Sequence, residues 1–181
     1  MATAKTGSFY LTETVAFTTG TNDGDRVIGS IDLGAYVSVA QGLAIAVESV
    51  DFVYQDTTLG SNMAAMVTAS CSIAAQLTDL NPGTGFVRAD NQSLVASGSL
   101  TIDKANNVVS HASDLYPDNF GPAAVAEAFM VVNDTMYLMS GPNGADITAN
   151  SFLTARIRCR VVKLGSKDWM AIAIQSTASD N

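Results

Sequence analysis

The chain has 181 residues, 48% of them apolar and only 14% charged, with a net charge of −8 and a pI near 4.3. That composition excludes intrinsic disorder, which needs high charge and few apolar residues, and the acidic balance argues against a surface built for nonspecific nucleic-acid binding. The length suits one domain, and so sparse a charged surface favours an oligomer or lattice subunit over a lone monomer.

Residues 8–18 place Phe9, Leu11, Val15 and Phe17 on alternate positions, which predicts a strand. The run TGTNDGD at 19–25 is a loop. Within it, Asn22, Asp23 and Asp25 resemble the start of a calcium loop, but Leu33 stands where the closing acid would be, so a plain turn is expected. A second strand is predicted at 26–33. A long one follows at 43–55, whose alternation changes phase near Glu48 to Val50 and so predicts a bulge.

Residues 63–77 are Ala-rich and poor in β-branched side chains; they are read as a strand, with a helix as the other option. At 15 residues with four polar ones, the run is too short for a membrane-spanning helix. Asp79 to Gly85 is a turn. Residues 93–102 and 107–110 form a hairpin across DKAN, and an irregular loop runs from His111 to Pro122. Strands at 127–132 and 135–139 flank Asn133-Asp134, which predicts a tight hairpin. SGPNGAD at 140–146 is a turn, 152–164 is the clearest strand, and Ser166 opens a short helix with Asp168 in its first turn. About eight antiparallel strands without helical alternation predict an all-β sandwich or single jelly roll over residues 1–181.

The chemistry offered is thin. There is one histidine, His111, and two distant cysteines, Cys71 and Cys159, expected as buried free thiols. Nucleophile-elbow, phosphate-loop and zinc-protease motifs are missing. The expectation is a protein that is not an enzyme and needs no cofactor, metal or small-molecule substrate. The first ten residues lack the apolar run of a secretory signal.

One constellation stands out. Five of the nine basic residues, Arg156, Arg158, Arg160, Lys163 and Lys167, fall within twelve positions. Parity puts Ile157, Cys159 and Val161 on one face of the strand and the three arginines on the other. Three readings are open for that row: pairing with acids on adjacent strands, contact with an acidic surface of a neighbouring subunit, or contact with packaged nucleic acid or lipid headgroups. The subunit-interface reading assigns Arg156, Arg158, Arg160 and Lys163.

The segments VESVDFVYQD, MVVNDTMYLM and RIRCRVVKLGSKDWMAIAIQST resemble the small single jelly-roll major capsid proteins of tailless icosahedral viruses. The resemblance implies a virion protein made in the host cytoplasm that self-assembles into a closed icosahedral shell. It also implies copies of itself as partners, other capsid or spike proteins, and weak contact with a packaged genome or internal membrane. The competing reading is a carbohydrate- or ligand-binding β-sandwich of spike or lectin type, with Trp169 as its one tryptophan.

Overall fold

The computed structural model describes residues 2–60, 62–113 and 128–178. In chain order the strands are β1 (Thr3–Ala4), β2 (Phe9–Phe17), β3 (Val27–Asp32), β4 (Leu43–Asp56), β5 (Cys71–Thr78), β6 (Leu94–Asp103), β7 (Val108–Ser113), β8 (Phe129–Val131), β9 (Thr135–Asn143) and β10 (Ser151–Lys163). A 3₁₀ turn, Met63–Met66, precedes β5, and the helix α1 (Ser166–Ala178) follows β10.

The pairing is nested. β2 pairs with β10, β3 with β9, β4 with β8 and β5 with β6, every pair antiparallel. This is one long hairpin whose apex is the β5–β6 connection. Rolling that hairpin brings β4 onto the free edge of β10 and β9 onto β5. Two sheets result, β2–β10–β4–β8 and β3–β9–β5–β6–β7, with β1 extending the β2 edge of β10. An eight-stranded antiparallel hairpin wound into two sheets is the jelly roll, and β1 and β7 are additions at its edges.

The sheets pack face to face over one core. Phe17, Ile45, Ile157 and Leu153 of the first sheet meet Ile73, Leu77, Ile102 and Leu138 of the second, all of them fully buried. Each such side chain contributes about 1.5–3 kcal/mol of burial. The Tyr54 hydroxyl crosses the layer and donates to the Ile73 carbonyl at 3.1 Å. Gly98 permits another close approach, because a Cβ there would stand 3.0 Å from the Phe52 ring. Cys71 and Cys159 are buried and unbridged, and burial, with Glu48 nearby, pushes the Cys159 thiol up to about 12.

A second, smaller cluster lies outside the sandwich. α1 lies over the outer face of the first sheet, packing Trp169, Ile172 and Ala173 against Ala44, Ala46, Val132, Val162 and Leu164. Alanines at 44 and 46 let the helix approach closely. They also explain why β4 shows poor alternation, since both its faces are covered there. Ser166 is the first helical residue, and Gly165 stands at the cap, accepting from the Trp169 amide at 2.9 Å.

Four expectations need correction. The turn expected at 140–146 is strand through Asn143, because β9 stays paired with β5 to that residue. Residues 63–77 are not one strand: MAAM forms the 3₁₀ turn, and pairing starts only at Cys71, where the buried alternation Cys71, Ile73, Ala75, Leu77 begins. Asn133-Asp134 does not close a hairpin. β8 belongs to the first sheet and β9 to the second, so the dipeptide turns the corner between sheets. Local turn chemistry marks a change of direction, and the choice of partner strand comes from burial. Val131 enters the main core while Val132 enters the helix cluster. The irregular loop begins later than expected, since β7 runs to Ser113; its remainder, 114–122, lies outside the described residues.

Candidate subunit-contact face

The parity reading of β10 holds. Ile157 is 0% exposed, Val161 is buried, and Arg156, Arg158 and Arg160 turn away from the core. β10 lies between β2 and β4, so its outward side chains form the middle row of a three-strand surface. Across that row Arg158 sits between Tyr10 and Ser49, and Arg156 between Thr12 and Asp51.

The expected bulge supplies the centre of the surface. Ser49 pairs with Arg158 and Val47 with Cys159, so Glu48 is the extra residue of β4. The bulge turns its carboxylate outward onto the arginine row. Glu48 is only 6% exposed. Arg158 Nε stands 3.0 Å from Glu48 Oε2, Arg160 pairs with Oε1, and the Ser8 hydroxyl donates to Oε2 at 2.8 Å. Two of the four assigned cations are therefore held inside the subunit by one carboxylate, as the adjacent-strand reading described.

The other two are differently placed. The Arg156 guanidinium lies 5.2 Å from the centre of the exposed Tyr10 ring, a cation–π contact. Lys163 is exposed and lines a recess with Lys5, Thr6, Ala40, Gln41 and Leu43. Neither lysine makes an ion pair among the described residues. Lys167 is the second residue of α1 and is exposed.

The surface is electrostatically distinct. Arg156, Arg158 and Arg160 put three of the nine Lys and Arg of a chain with net charge −8 on this outer face, while Lys163 has the inward parity of Val161 and shares its recess with Lys5. Among the outward positions of β2, β4 and β10, only Glu48 and Asp51 are acidic. The acidic excess thus lies elsewhere. Sequence parity found the arginines but not their partner, because Glu48 faces them only through the bulge. Lys5 was missed because β1 is two residues long and carries no periodicity.

The other sequence candidates resolve structurally. Asp25 accepts from the Asn22 amide at 2.8 Å, Asp23 from the Gly144 amide at 2.7 Å, and Asp146 from the Asp23 amide at 2.8 Å. These carboxylates cap backbone groups, and no cluster of three metal-ligating side chains occurs among the described residues. His111 lies edge-on to the Tyr54 ring, 6.0 Å between centroids. Trp169, a residue of α1, is half-buried against the outer cluster of the first sheet. Among the described residues no helix is long and apolar enough to cross a membrane.

No protein-family model matches the chain, and no curated protein matches it in sequence. Among solved structures it is similar to a chain of Desmodium yellow mottle tymovirus, at 11% identity and a TM-score of 0.33, over 89% of this chain and 91% of that one. A likeness at that score leaves the fold to be read from the strand order above.

Proposed function

We propose that this chain is a non-catalytic virion shell subunit that assembles with copies of itself. The observation that carries the reading is the row of three arginines, with Arg156 free of an ion pair among the described residues, on the outer face of the first sheet of a chain whose net charge is −8. Such a face fits the acidic surface of another copy in a head-to-tail contact, and contacts of that kind close into rings and shells. Sparse charge elsewhere supports the same reading, as does the outer stripe of α1, where Met170 and Ile174 are 60% and 62% exposed. On this face the contact falls to Arg156, because Arg158 and Arg160 are occupied by Glu48 within the subunit and Lys163 has the inward parity of the strand.

The test is the reversal Arg156→Glu, followed by circular dichroism, light scattering and electron microscopy. The wild-type chain is expected to form particles or capsomer-sized oligomers. The variant is expected to keep its far-ultraviolet spectrum and melting temperature while losing assembly in a salt-dependent way. A wild-type chain that stays monomeric at every concentration overturns the reading. Full particle yield from the variant overturns the assigned contact.

A further inference from the structure

Two turn motifs that are far apart in the chain, NDGD at 22–25 and SGPNGAD at 140–146, meet beside the β3–β9 pair. The Gly24 amide donates to the Pro142 carbonyl at 3.1 Å, and the Asp23 amide donates to Asp146 Oδ1 at 2.8 Å. Between those two anchors lies Asn143-Gly144, the single Asn-Gly step of the sequence. Gly144 has a φ of 100°. A side chain is strained in that conformation, so glycine is required there. Asn143 is the last residue of β9 and stands opposite Ser72.

Asparagine before glycine is chemically labile, because no side chain shields the glycine nitrogen from the amide carbon. In the reaction the Gly144 nitrogen loses its proton to solvent base and bonds to Asn143 Cγ. The Cγ–Nδ2 bond breaks, and Nδ2 takes up a proton and leaves as ammonia. Water then adds to either carbonyl of the succinimide ring and opens it to aspartate or isoaspartate. The reaction consumes only water. The fold holds both reacting groups. The Gly144 N–H donates to Asp23 Oδ1 at 2.7 Å, and an N–H bound by a carboxylate is harder to deprotonate. Asn143 Oδ1 accepts from Arg26 Nη2 at 2.5 Å, which fixes the orientation of the amide. Arg26 is fixed in turn. Its Nη1 donates to the Asp25 carbonyl at 2.8 Å and the Pro142 carbonyl at 3.0 Å, and its guanidinium lies 4.4 Å from the centre of the Phe86 ring. Pairing alone protects the last residue of a strand least, because strand ends open first.

We propose that Asn143-Gly144 is a latent self-modification site, kept as asparagine by a latch of Arg26 and Asp23 and deamidated when that latch opens. The inference is independent of the shell reading, since it concerns one subunit.

The experiment incubates the full chain at mildly alkaline pH, folded and in urea, and follows Asn143 by peptide mass mapping with isoaspartate detection. Wild-type chain is expected to deamidate at Asn143 in urea and at least about tenfold more slowly when folded. Arg26→Ala and Asp23→Ala should each speed the folded reaction at least about tenfold, the factor for one lost hydrogen bond to a charged group. The gain should be confined to Asn143. The other asparagines should keep their folded rates, which separates an open latch from an unfolded chain. Asp23→Asn keeps the shape and only weakens the bond, so it should fall between wild type and Asp23→Ala, and it reads the latch even if a truncation fails to fold. Folded wild-type chain that deamidates at the urea rate overturns the proposal. Latch variants as slow as wild type, or slower, overturn it as well, the slower case meaning that Arg26 activates the amide rather than restraining it.

Discussion

The outer face of the first sheet is two surfaces on the same strands. Beneath α1, β4 and β10 present Ala44, Ala46 and Val162, which are fully buried. A few residues along the same strands they present Ser49, Asp51, Thr154 and Arg156, which face outward with Thr12 and Thr14 of β2. Glu48 marks the border, its bulge shifting the register between Arg158 and Cys159. The comparison shows that a strand can be two-sided over one half and one-sided over the other. What changes is only whether another element of the chain lies on top.

The comparison is broken most severely by writing the open half's residue into the covered half. Ala46→Arg places a cation under α1 with no acid beside it in the cluster. The expected cost is above about 4 kcal/mol in urea unfolding, because the charge must be expelled together with the helix. A cost under about 1 kcal/mol would mean that α1 is not held against the sheet.

Next in size is the pH dependence of the clamp on α1. Asp79 holds Ser176 of the helix, and its carboxyl is raised to about 6 from 3.8. A group raised in the folded state binds a proton there before it does in the unfolded chain. Stability should therefore rise as pH falls from about 6 toward 4, on the order of 3 kcal/mol from this group alone. The other groups near it, Asn133, Ser176, Asp134 and Tyr137, add no cation that would oppose the change. Asp79→Asn should flatten this part of the profile relative to wild type, and parallel profiles would refute the assignment.

Third comes the border itself. Glu48→Gln keeps the shape but leaves Arg158 and Arg160 facing a neutral group. A loss of about 1–3 kcal/mol is expected, partly recovered when Arg160 is also replaced by Gln, because the second change removes the unmatched charge. A double-mutant cycle in urea measures the coupling, and additivity would show that the pairs contribute nothing. The smallest effect belongs to the open half. Arg156→Thr should alter stability by less than about 0.5 kcal/mol, since among the described residues the guanidinium's contact is with an exposed ring.

Much of this was legible in the chain. Alternation located β2, β3, β4 and β10 to within a residue or two of their ends, because each has a buried face and a period of two leaves no other option. The phase slip in VESVD foretold the bulge. The hairpin at β6–β7 followed from its turn, where Asn107 takes a φ of 54°. The β8–β9 corner was not legible, because Asn133-Asp134 serves a hairpin and a corner equally well. The MAAM turn was hidden inside an apolar run whose periodicity starts only at Cys71.

By itself, then, the sequence determined the strands with clear alternation, the inward side chains of β10 and the row of arginines opposite them, since those follow from spacing along one strand. Only the tertiary structure decided what the row meets. The bulge brings Glu48 to Arg158 and Arg160, the rolled hairpin puts β4 beside β10, and Asp79 comes under a helix almost a hundred residues away. Such contacts are set by how nested pairs close on one another, and no local pattern in the chain encodes that distance.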